Sequence, residues 1–184
     1  MTEPHGSGTV APRAGENASR GVSAVLGRLG APRLAILVLG GGGGLLLIIS
    51  DFLTLYHVDV VTASCSDLAS PNLRDACSTS GGGHHGYALA VLGAIALVMA
   101  WGAAIGASRP AGVALLVLGL VSLVIVLAVD LPDIHKTGIV GDQFSSATAK
   151  PGSGFWLEIV GAALVGGAGL LRLLTGPRGA ARPL

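Results

Sequence analysis

The chain has 184 residues, of which 51% are hydrophobic and only 11% charged, with 30 glycines and a mean hydropathy of +0.73. A soluble domain carries about 25% charged residues, so water-soluble packing is excluded. The formal net charge of +1 shows no basic excess, and nucleic acid is not an expected partner.

Residues 1–32 are rich in Gly, Ala, Ser, Pro and Arg and contain no sustained apolar run, which predicts a disordered cytoplasmic tail. Arg20, Arg28 and Arg33 are placed to sit against anionic headgroups. The first apolar run starts too late and continues too far for a cleaved signal peptide. Residues 33–175 then form one four-helix transmembrane domain, and 176–184 a second cytoplasmic tail.

The first span, 34–56, reads LAILVLGGGGGLLLIISDFLTLY. At about 1.5 Å of rise per residue, roughly 20 apolar residues cross the hydrocarbon. Five successive glycines are tolerated in such a helix because lipid forces its backbone hydrogen bonds to close internally. Gly40 and Gly44 are spaced small-x-x-x-small, which lets a second helix approach closely. A packing seam is the plain reading; a hinge on a solute path is the alternative.

The outer loop 57–86 contains both cysteines, Cys65 and Cys77. Outside the cell the expected state is a disulfide, within one chain or between two, worth roughly 3 kcal/mol for an intrachain loop of this size. A redox-active pair is the other reading. It lacks the C-x-x-C spacing that such pairs use, and so lacks the motif of the four-helix quinone-coupled thiol oxidases, whose topology is similar.

Further spans are predicted over 87–107, 111–129 and 155–174, with a second outer loop at 130–154. Ala96, Ala100 and Ala104 share one face of the second span, and Ala162 and Gly166 one face of the fourth. The turn Ser108–Pro110 is short enough to make the second and third spans antiparallel neighbours. Trp101 reads as an interfacial anchor.

Eight basic residues (Arg13, Arg20, Arg28, Arg33, Arg109, Arg172, Arg178, Arg182) fall on the side of the termini, against Arg74, Lys136 and Lys150 on the other. By the positive-inside rule both termini are cytoplasmic and the two longer loops face outward, in a multi-pass protein of the cell membrane.

Internal similarity suggests two tandem helical hairpins. The first span closes on Asp51 and reaches His57, and the third closes on Asp130 and reaches His135. The second opens G-Y-A-L-A-V-L-G-A at Gly86, and the fourth G-F-W-L-E-I-V-G-A at Gly154. Chance similarity between apolar segments is the alternative. If the repeat is real, its axis runs along the membrane normal and the fold is an all-α four-transmembrane-helix bundle.

No motif joins a nucleophile to a base, and neither an enzyme nor a cofactor is expected. Asp51, His57, His84, His85, Asp130, His135 and Glu158 gather at the outer side. They are either ordinary interfacial polar residues or a proton or cation site at the mouth of the bundle, since imidazole with carboxylate suits zinc, copper or nickel. Glu158 stands out because it lies about one turn inside an apolar run.

The pieces resemble a loose group of small four-helix membrane proteins of high-GC actinobacteria. The resemblance rests on an Arg-bearing tail, a Gly/Leu helix closing on S-D-F-L-T-L-Y, and a final P-G-S-G-F-W-L-E-I-V-G-A. It covers Arg33 to Leu174 and implies fold and membrane setting without an activity. It departs from an F-L-P-W pattern after the first helix, having Thr54 and Leu55. The topology is also similar to that of claudins, but their G-L-W-x-x-C signature is absent, and adhesion is not carried over. The first functional expectation is therefore a non-enzymatic accessory subunit, scaffold or homo-oligomer acting through helix packing. Its partners are the lipid bilayer and another membrane protein or itself. The alternative is a small transporter or cation-binding protein using the outer His and Asp residues and Glu158.

Overall fold

A computed structural model of the chain describes residues 30–60, 70–106 and 108–175. In chain order the elements are α1 (Ala31–Ser50), β1 (Thr54–Val60), α2 (Pro71–Asp75), β2 (Ser78–Ser80), α3 (Gly81–His85), α4 (Ala88–Ile105) and α5 (Arg109–Ile125). A π turn (Val126–Asp130), α6 (Leu131–Asp133), α7 (Gly138–Gln143), β3 (Ala147–Pro151) and α8 (Ser153–Thr175) complete it. Four helical stretches, beginning at Ala31, Ala88, Arg109 and Ser153, are long and apolar enough to cross a membrane. Most of both tails, with Arg20 and Arg28, lies outside the described residues, as does Cys65. Cys77 is buried and carries no free thiol.

The spans are where hydropathy puts them, but their ends differ. Helix α1 begins earlier, at Ala31, because Pro32 suits a first helical turn. It stops at Ser50, short of Tyr56, because the apolar stretch that follows is a strand. In TLYHVDV, β-branched and aromatic residues favour extended backbone, and Leu55 and Val58 turn inward. The expectation of an all-α protein is thereby corrected. A three-stranded antiparallel sheet, ordered β2-β1-β3, covers one end of the bundle, here termed the loop-bearing end. Leu55, Val126, Ile134 and Phe155 form the small core that joins sheet to helices.

In the bundle α1 packs between α4 and α8, and α5 packs on α8 and, less extensively, on α4. The seams are built from missing side chains. A Cβ on Gly43 would stand 2.8 Å from the Gly161 oxygen, and one on Gly44 2.8 Å from the Gly93 oxygen. One on Gly40 would stand 2.9 Å from the Ala100 Cβ. Gly40, Gly44, Ala96, Ala100, Ala104 and Ala162 are all buried inside this single chain, and half-buried Gly166 packs on Gly119 of α5. Valine, leucine and isoleucine cover the outward faces, including Val38, Val98, Val124 and Leu170, with Trp101 exposed beside them.

Candidate cation site

The loop-bearing end of the bundle holds a cluster of ionisable side chains delivered by four different segments. The first comes from the end of α1. Ser50 turns its hydroxyl back to donate to the Leu47 carbonyl at 2.8 Å, and Asp51 follows with only 1% exposure. Its Oδ2 accepts the N–H of Ala90 at 2.6 Å. Ala90 lies in the first turn of α4, whose own N-cap, Tyr87, sits at φ 64 and offers no side-chain cap. A carboxylate from one helix thus satisfies an orphan donor at the positive end of the next.

The second segment is α3, GGGHH. The Ser80 hydroxyl caps it by accepting from the Gly83 N–H at 3.2 Å, and Gly82 N–H donates to the Asp51 carbonyl at 2.6 Å. Its glycines are required by close approach. A Cβ on Gly81 would lie 3.0 Å from Asp51 Cα and 3.1 Å from Glu158 Oε1, and one on Gly82 2.9 Å from the Asp51 oxygen. With no side chains in the way, the segment lies directly on the helix ends and sets His84 and His85 over them.

The third segment is the π turn that ends α5. A π turn widens the helix by one residue, a distortion often found at functional sites, and here it carries Asp130, which is fully buried. One turn later, α6 supplies Asp133. The fourth segment is α8, where Glu158 is also fully buried, within Coulomb range of Asp130 and Asp51.

His85 Nε2 stands 2.9 Å from Asp130 Oδ1, and His84 Nε2 3.7 Å from the same oxygen and 3.3 Å from Asp133 Oδ2. One ligand atom from each of His84, His85 and Asp130 falls within 4.8 Å of the others. The 2.9 Å approach has the length of a hydrogen bond but not its geometry. Both Nε2 atoms, both Asp130 oxygens, both Glu158 oxygens and Asp51 Oδ1 are buried without a hydrogen-bond partner. Among the described residues the only ammonium or guanidinium paired here is Lys136, on the outer acid Asp133. The Asp130 carboxylate pushes His85 above its ordinary range, against burial, which acts in the opposite direction.

The expected set therefore divides. Asp51, His84, His85, Asp130 and Glu158 come together. His57 lies on β1 with Nε2 3.9 Å from Asp59 Oδ1, and exposed His135 turns Nδ1 to the Leu131 carbonyl at 3.2 Å, so neither joins them. Asp133, one helical turn after Asp130, stands at the outer edge of the set. Gly81 and Gly82 are additions, signalled only by a glycine run directly before paired histidines. No family model, curated protein or solved structure matches the chain. The chemistry of the site is read from its own residues.

Proposed function

We propose that the protein is a non-enzymatic multi-pass membrane protein that binds a cation at the loop-bearing end of its bundle, the alternative expected from sequence. The observation that supports this reading is the set of buried carboxylates Asp51, Asp130 and Glu158, of whose oxygens only Asp51 Oδ2 accepts a hydrogen bond, beside two imidazole nitrogens without a hydrogen-bond partner. An isolated buried carboxylate costs several kcal/mol, and like charges side by side add to that cost. Positive charge between them relieves both. The Arg distribution favours an outer location for this end and cytoplasmic termini.

Inward of the cluster, Leu47, Leu115 and Val165 are fully buried apolar side chains that fill the core of the bundle. A cation enters and leaves by the loop-bearing end, which favours binding over conduction. The accessory-subunit reading draws on small-residue faces, and in this fold most of those residues are engaged with one another inside one chain.

Thermal unfolding of the full-length protein in mild detergent tests the proposal, with chelator or with single mono- and divalent cations. A ligand at about 100 times its Kd stabilises the folded state by about 2.7 kcal/mol. At least one cation is expected to raise the midpoint reproducibly; the same midpoint under every condition contradicts the reading.

A further inference from the structure

Two of the converging donors are imidazole nitrogens, and this narrows the kind of ion. We infer that the site takes a divalent transition-metal ion of the zinc class, held by His84 Nε2, His85 Nε2 and Asp130 Oδ1, with the fourth position opening toward Asp133. The inference rests on the cation-binding reading and specifies its ligand. Calcium and magnesium are hard ions that take six or more oxygen ligands, so a set with two imidazoles in three suits them poorly. Imidazole with carboxylate suits zinc, copper and nickel.

The spacing agrees. Zinc bonds of about 2.0–2.1 Å in a tetrahedron place neighbouring ligand atoms roughly 3.3 Å apart. The separations here are 2.9 Å for His85 to Asp130, 3.7 Å for His84 to Asp130 and 3.3 Å for His84 to Asp133. Neither Nε2 atom makes a hydrogen bond of good geometry; each stands beside a carboxylate, a contact that an ion between them replaces. Glu158, fully buried and within Coulomb range of Asp130, adds a neighbouring carboxyl to the site. Asp133, with a side chain 23% exposed, marks the side on which the ion exchanges with solvent.

The test uses the full-length protein in mild detergent, stripped with chelator and dialysed. It is titrated with Co(II) under visible absorption, then with Zn(II), and separately with Ca(II) by calorimetry. The inference predicts one equivalent of Co(II) with the intense bands of four-coordination, displacement by Zn(II), and no competition from Ca(II). In His85→Ala the Zn(II) affinity falls at least about tenfold, whereas His57→Ala and His135→Ala bind as the unaltered protein does. Stoichiometry and spectrum come from the unaltered chain, so they decide the matter even if His85→Ala fails to fold. Preference for Ca(II) over Zn(II), or unchanged Zn(II) affinity in folded His85→Ala, overturns the zinc-class assignment and leaves cation binding standing. Failure of every cation to bind overturns both.

Discussion

Asp51 has two roles at once, as acceptor for the Ala90 N–H and as one of the buried charges. The two separate by substitution. Asp51→Asn removes the charge and keeps an acceptor oxygen, while Asp51→Ala removes both. The difference between the two variants isolates the cap, and a side-chain cap of this kind is worth about 0.5–2 kcal/mol. Asp51→Ala is expected to be the less stable of the pair by that amount in detergent unfolding, with hydrogen-exchange protection lost first at the start of α4. The glycines make a similar contrast along α1 and α4. A methyl group on Gly93 would stand 2.5 Å from the Gly44 oxygen, whereas one on Gly42 would meet nothing within 4 Å. Gly93→Ala should therefore cost about 1–3 kcal/mol by overpacking, and Gly42→Ala should gain up to about 1 kcal/mol from helix propensity. Equal midpoints for the two variants would contradict the close-packed seam.

Among the elements, α3 decides where the imidazoles sit. Gly82→Ala leaves both histidines in the chain but places a methyl 2.9 Å from the Asp51 oxygen and 2.5 Å from the Tyr87 ring, which forces α3 to lift. Calorimetry should show cation affinity reduced although no ligand has been changed; unchanged affinity would show that α3 tolerates the shift. The β1–β3 pair has its own electrostatic contact. Lys150 donates to Asp59 Oδ2 at 2.8 Å and holds that carboxyl below the usual range. A depressed folded value means that the contribution is present above the unfolded carboxylate pKa and is lost as pH falls through the folded one. Both groups are exposed, so the effect is local. In Lys150→Met the Asp59 titration followed by NMR should move back up toward the ordinary carboxylate range.

The same elements show what sequence reasoning reaches. Long apolar runs reveal the helices because lipid imposes one structure on them. The end of α1 is hidden because FLTLY carries the apolar run on past Asp51, and the burial of Leu55 and Val58, three residues apart in a strand of irregular register, follows no strict alternation that would mark it. Internal similarity pairs each helix-ending Asp with the His that follows it. In the fold the acids Asp51 and Asp130 turn inward, while His57 and His135 do not join them. The imidazoles come instead from α3, at the far end of the first outer loop. Position Ala90 of the first hairpin matches Glu158 of the second: Asp51 meets a backbone N–H at one, and Asp130 faces a carboxyl at the other. Such long-range meetings depend on helix packing, which no local pattern encodes.

At the scale of the whole molecule, the four long helices bury small residues against one another and turn branched apolar ones outward. The buried acids Asp51, Asp130 and Glu158 and the paired histidines collect at the end that carries the small sheet. The metal centre proposed for this end is built on two histidines. X-ray absorption at the zinc edge on the zinc-loaded full-length protein tests it most directly. Nitrogen and oxygen neighbours at about 2.0–2.1 Å are expected, together with the outer-shell scattering of two imidazole rings. Sulfur neighbours at about 2.3 Å, or a spectrum without imidazole scattering, would contradict it.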